Sequence, residues 1–116
     1  MPELKNIAVY CGSKTGNHPA HLEATMQLAH ALAQANINLI YGGGKVGLMG
    51  VLADAMLEKN GKIVGVMPQF LIDKELAHPH LQQMHIVNSM HERKALINNL
   101  ADGVILLPGE IGRAHV

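Results

Sequence analysis

Five short apolar runs, separated by stretches of helical period, constrain this chain more than any other feature of its sequence. Asn6 to Tyr10 (NIAVY) is closed by CGSKTG, and Ile37 to Tyr41 (INLIY) by GGGKVG. Lys62 to Val66 (KIVGV), Met84 to Val87 (MHIV) and Gly103 to Pro108 (GVILLP) complete the set. Runs of this length bounded by turn residues read as strands. Between the first two runs, Leu22, Met26, Ala29 and Ala33 recur at helical spacing within 19–35, with Pro19 near the first turn. A second helix is predicted over 48–59, stopped by Asn60-Gly61, and a third over 90–100, where Asn88 or Ser89 supplies a cap and Glu92 sits in the first turn. Residues 67–82 hold two prolines and mixed polarity, so they read as a loop with at most one helical turn.

Strand and helix alternating at this cadence predict an α/β fold, a doubly wound and mostly parallel sheet with helices on its faces. Parallel neighbours require crossovers of a dozen or more residues. With 116 residues there is room for one domain, spanning 1–116. Ligands of such sheets sit outside the carboxyl ends of the strands, so the loops beginning at Cys11, Gly42, Met67, Asn88 and Pro108 are where function is expected.

Composition narrows the ligand. Lys+Arg and Asp+Glu both number 9, leaving no net field to hold a nucleic-acid polymer or an anionic membrane. Aromatic residues make up 3%, too few for base-stacking platforms. A single cysteine, Cys11, excludes an intrachain disulfide framework and suits a reducing cytoplasm, and MPELKNIAVYCGS lacks the layout of a signal peptide.

The run GVILLP is continuously apolar, which fits a strand buried on both faces. Only GEIGRAHV follows it, so a covering helix is missing from its far side. Either a neighbouring helix closes that gap, or the exposed aliphatic surface is met by self-association, a swapped element or a partner, since burying each large side chain is worth roughly 1.5–3 kcal/mol.

The sharpest local signal is YGGGKVGLMG at 41–50. Gly42, Gly44 and Gly47 satisfy GxGxxG between a predicted strand and a predicted helix, where backbone N–H groups and the helix dipole can hold a phosphate. The alternative is a tight strand-to-helix turn without a ligand. No GK[ST] closes the loop, and no acidic residue ends the following strand, so a mononucleotide or phosphosugar is preferred over a dinucleotide. Lys45 could assist the phosphate or be a solvated loop lysine, and Gly12 and Ser13 are candidate phosphate contacts after the first strand.

The second signal is MHERK at 90–94, which sets the fork of Arg93 and the point charge of Lys94 at a helix start on the ligand end of the sheet. The alternative is a solvated basic turn. His91 has an acid–base chemistry suited to neutral pH, but it is one of 8 histidines. His78, His80 and His85 lack the spacing and acidic or thiol companions of a metal site, so no metal is expected. Cys11 has no evident base beside it and reads as a buried thiol, and Met49, Met56, Met84 and Met90 read as gap-fillers.

CGSKTG at 11–16, YGGGKVGLMG at 41–50, MHERK at 90–94 and LPG at 107–109 together resemble, in this order, the Lonely Guy (LOG) family. Its members are cytokinin riboside 5'-monophosphate phosphoribohydrolases, also labelled possible lysine decarboxylases. The resemblance implies a Rossmann-like homodimer, or a higher homo-oligomer, with composite sites. The implied reaction cleaves the N-glycosidic bond of an N6-substituted adenosine 5'-monophosphate to the free base and ribose 5-phosphate, without a cofactor. Nothing marks a lysine for pyridoxal phosphate. By position it implies catalysis by Arg93 with Lys94, phosphate binding by Gly42, Gly43, Gly44, Gly47, Gly109 and Gly112, and substrate contacts from Gly12, Ser13, Met90 and Glu92.

The family pattern continues as PGGxGTxxE, whereas this chain reads Pro108-Gly109-Glu110-Ile111-Gly112-Arg113-Ala114-His115-Val116. Glu110 replaces a glycine, Arg113 replaces the threonine, and the carboxylate expected at the ribose is absent, so the resemblance is to a C-terminally truncated member without its closing elements. Removing one electrostatic group of this kind costs on the order of 10² to 10³ in rate, so a crippled or inactive hydrolase is expected. The rival expectation is a non-catalytic nucleotide or phosphosugar carrier, related to molybdenum-cofactor carriers, or a fragment that folds by self-association.

Overall fold

Each connection from one strand to the next carries the chain back to the side it started from, and the resulting sheet is parallel throughout. The computed structural model describes residues 5–10 and 19–107. In chain order the elements are β1 (Asn6–Tyr10), α1 (Pro19–Gln34), β2 (Asn38–Tyr41), α2 (Gly47–Glu58), β3 (Ile63–Pro68), α3 (Gln69–Asp73), β4 (Gln83–Val87), α4 (Met90–Leu100) and β5 (Gly103–Leu106). The sheet order is β4-β3-β2-β1-β5, with every neighbouring pair parallel.

The chain steps outward from β1 to β4 and then leaps back to the other flank of β1. Right-handed crossovers made in opposite directions place their helices on opposite faces. On one face, Ala29 and Leu32 of α1 and Leu52, Ala53 and Met56 of α2 pack against Ile7, Val9, Leu39, Tyr41 and Ile63. On the other, Ile97 of α4 packs against Ala8, Ile40 and Val66. The alternation along β1 and β2 is the period-2 geometry of a strand buried on both sides.

The helix ends follow local chemistry. Asn36 and Asn60 take the left-handed conformation after α1 and α2, and the next residues close the turns with Ile37 N–H to Leu32 O at 2.9 Å and Gly61 N–H to Met56 O at 2.7 Å. The left-handed residue is therefore the asparagine in each case. At the start of α4, Ser89 Oγ accepts the Glu92 N–H at 3.1 Å while Glu92 Oε1 accepts the Asn88 N–H at 2.8 Å, a reciprocal cap close to a capping box. The 67–82 segment holds one turn of helix, α3, as its composition predicts.

Two expectations need correction. β3 runs to Pro68 and not Val66, because β4 pairs with it as far as Pro68↔Val87. β5 is not buried on both faces: Val104 is 53% and Leu106 67% exposed. It lies at the sheet edge, in register with Ala8 and Tyr10, and so shares the α4 face. That single helix sits over Ala8, Ile40 and Val66 and leaves the edge strand bare.

Candidate functional site

The carboxyl ends of β1, β2 and β3 meet the starts of α2 and α4 in one place, beside the strand from which the chain winds both ways. Such a switch point leaves a crevice that no side chain of the sheet fills. There the loop after β2 departs from regular structure. Gly43 takes φ +84°, a conformation that costs a side-chain-bearing residue about 1–2 kcal/mol. At Gly42 a Cβ would collide with the Arg93 guanidinium, so the missing side chain admits an arginine against the main chain.

Arg93 reaches the loop from the first turn of α4. Its Nε donates to Val66 O at 3.0 Å, its Nη2 to Gly42 O at 2.6 Å, and its Nη1 approaches Met90 Sδ at 3.6 Å. These contacts tie the ends of β2 and β3 to α4 and use three of the five guanidinium N–H groups, leaving two for a ligand. Burial pushes the Arg93 pKa down from its ordinary value, and the nearby phenols of Tyr10 and Tyr41 oppose that shift in part. Burial raises Tyr10, against the pull of Arg93, and raises Tyr41 further with the help of the Asp54 charge. Both phenols therefore stay protonated at neutral pH and act as donors.

Each carbonyl from Gly42 to Gly44 accepts a donor from a different part of the chain. Gly42 O takes Arg93, Gly43 O takes the His78 N–H at 2.8 Å, and Gly44 O takes the Tyr41 hydroxyl at 2.8 Å. Committed carbonyls hold the loop in one conformation.

Next to this loop lies a cavity of about 520 Å³, within the roughly 300–1,000 Å³ typical of small-molecule sites. Its wall is mostly apolar: Val9 from the sheet, Val46 and Met49 from the start of α2, Met67, Leu71 and Leu76 from β3 and the segment after it, and Met90 and Ile97 from α4. Gly42, Gly44 and the two tyrosines add polar edges, while Arg93 and Lys94 contribute the charge. Among the described residues no Asp or Glu lines it.

The residues singled out from sequence fall into three groups. Gly42, Gly44, Met90, Arg93 and Lys94 come together on this cavity. Gly43 is buried behind it beside Met84, Gly47 opens α2, Lys45 is exposed, and the Glu92 carboxylate is engaged in the α4 cap. Cys11, Gly12, Ser13, Gly109, Glu110 and Gly112 lie outside the described residues. His78 and His80 meet edge to face with ring centroids 6.0 Å apart, and among the described residues no three His, Cys, Asp or Glu side chains are grouped to hold a metal. Sequence reasoning missed Tyr10 and Tyr41, which end β1 and β2, and the wall residues Leu71 and Leu76. Position at a strand's carboxyl end could have flagged the tyrosines; nothing local flags the leucines.

The chain is similar to known proteins along nearly its whole length. The family model described as "Possible lysine decarboxylase" matches residues 49–115. A cytokinin riboside 5'-monophosphate phosphoribohydrolase of Rhodococcoides fascians is 41% identical over 98% of this chain and 58% of its own length. A phosphoribohydrolase of the same description from Arabidopsis thaliana is 40% identical over 94% of this chain and 51% of its own length. The chain thus spans little more than half the length of these relatives. Among solved structures, a structural-genomics target matches 96% of this chain and 65% of its own with TM-score 0.75 at 25% identity. A molybdenum cofactor binding protein of Rippkaea orientalis matches with TM-score 0.77 over 95% of this chain and 66% of its own; at 18% identity it shows the fold alone. Among the described residues no helix is long and apolar enough to cross a membrane.

Proposed function

The chain belongs to the family described as possible lysine decarboxylases, and we propose that, as in its phosphoribohydrolase relatives, its cavity takes a nucleoside 5'-monophosphate bearing an adenine-type base and hydrolyses the N-glycosidic bond. The observation that carries this reading is the pairing of Arg93 and Lys94, the charged groups of the described lining, with a mostly apolar cavity of nucleotide size. Two cations favour a phosphate or the negative charge that develops on a departing base, while aliphatic and thioether walls favour a flat ring and an apolar substituent.

In the reaction, water adds to the anomeric carbon, the bond from that carbon to the base nitrogen breaks, and a proton from the water ends on the base. Free base and ribose 5-phosphate result. Arg93 and Lys94 act as ligand-binding and charge-stabilising groups, and Gly42, Gly43, Gly44 and Gly47 form the phosphate loop; the roles of Gly12, Ser13, Gly109 and Gly112 as further phosphate or substrate contacts rest on the family resemblance alone. Met90 completes the substrate side, whereas Glu92, whose carboxylate caps α4, lies off the cavity lining. Oxocarbenium character at the sugar calls for a carboxylate. The described lining offers none, which favours a second reading in which the chain as given binds the nucleotide and turns it over poorly.

We further propose a homodimer in a reducing cytoplasm. The exposed Val104 and Leu106 support the association and the single cysteine supports the compartment.

The test is incubation of the purified chain with AMP and its N6-isopentenyl analogue, with free base resolved by chromatography and binding followed by calorimetry. Binding that Arg93→Ala weakens by tenfold or more, about one charge-assisted hydrogen bond, is the expected result. Release of base at ordinary enzyme rates would remove the second reading, and no binding by the wild-type chain would remove both.

A further inference from the structure

His78 is buried, and the proposed chemistry gives it no part. Both of its ring nitrogens are nevertheless committed. Nδ1 accepts the His80 N–H at 3.1 Å, which puts the ring proton on Nε2, and Nε2 donates to Asp54 Oδ1 of α2 at 2.6 Å. The backbone around it is committed as well. The His78 N–H donates to Gly43 O at 2.8 Å, Lys45 N–H donates to Leu76 O at 3.1 Å, and Gly44 faces Ala77 across an antiparallel bridge. Residues 76–78 thus run as a short splint along the 43–45 loop.

This splint is the far end of the segment that begins with α3 and turns at Glu75, a residue in the left-handed conformation at φ +62°. The segment supplies Leu71 and Leu76 to the cavity. Whatever fixes the splint therefore fixes two adjoining parts of the lining at once, the glycine loop and the aliphatic wall of Leu71 and Leu76. The side-chain bond from the splint to a helix is the one from His78 to Asp54.

We infer that His78 is a positioning residue of this site, clamping residues 76–78 to α2 through Asp54 and so holding the Gly42–Lys45 loop and the adjoining Leu71–Leu76 wall in the arrangement a ligand needs. The part concerning a ligand rests on the cavity being the nucleotide site; the clamp itself does not. Asp54 is largely exposed, so its removal leaves the core intact. Gln at position 78 keeps an amide N–H that can still reach Asp54.

The test is amide hydrogen exchange on the chain and its Asp54→Ala, His78→Ala and His78→Gln variants, with AMP affinity measured in parallel. Exchange at Lys45 and His78 should quicken about tenfold in both alanine variants while β1, β2 and β3 keep their protection. AMP affinity should fall by a similar factor, and His78→Gln should recover much of both. Unchanged exchange at Lys45 and His78 would overturn the inference. So would an even loss of protection across the strands, which would make His78 a general stabiliser, or a glutamine variant no better than alanine. If the wild-type chain does not bind AMP, the nucleotide reading falls and the exchange pattern still decides the clamp.

Discussion

The two faces of the sheet are built to different standards. Against α1 and α2, Leu39, Leu52, Met56 and Ile63 are all but solvent-free, and two helices share the work. Against α4 the buried set is Ala8, Ile40, Val66 and Ile97, and the edge beyond it exposes Val104 and Leu106. The crowded face holds most of the core, and the sparse face is covered by α4, which also carries Arg93 and Lys94 to the cavity. A site needs room, and a doubly wound sheet leaves that room outside the carboxyl ends of its strands, at the switch point.

Truncation on either face gives the largest expected effects and separates the two roles. Leu52→Ala and Ile97→Ala should each lose about 2–5 kcal/mol in urea unfolding, as fully buried aliphatic side chains do. Ile97→Ala alone should also cut AMP binding in protein that is still folded, since Ile97 anchors α4 and lines the cavity. Equal loss of binding in both would erase the division of labour proposed here.

A smaller effect belongs to Asp102, which joins the start of β5 to the start of β1. Its carboxylate accepts the N–H groups of Lys5 and Asn6, each at 3.0 Å, and these bonds hold its pKa below the usual carboxylate range. A pKa depressed by folding adds stability above the ordinary value of about 4, which is lost as the pH falls through the folded value. Unfolding curves for wild type and Asp102→Asn should therefore differ at pH 6 and converge toward pH 2.5. The smallest change in monomer stability, within about 0.5 kcal/mol, is expected for Leu106→Ser on the bare edge. Light scattering should show that variant weakening the proposed dimer; an unaltered oligomer would move the interface elsewhere.

Much of this architecture was legible from residues. The strands β1, β2 and β5, the helix ends at Asn60 and Ser89, and the presence of Gly42, Gly44, Arg93 and Lys94 at the ligand end all follow from period and turn chemistry. What escaped is non-local. GVILLP reads as a central strand because an apolar run records hydrophobicity and not the neighbour that arrives later. Leu71, Leu76 and His78 looked like members of an irregular loop, and only the path of residues 76–78 along the glycine loop gives them a role.

By itself the amino-acid order determined that the sheet is parallel and that glycine, arginine and lysine gather where strands end. The geometry of glycine is written within a few neighbours, and crossover length within a dozen or more consecutive residues. Tertiary structure alone decided that Gly42 leaves space for a guanidinium, that β5 is an edge, and that an imidazole far along the chain steadies the loop. Those outcomes depend on which surfaces meet after the chain has doubled back, and no stretch of sequence carries that information alone.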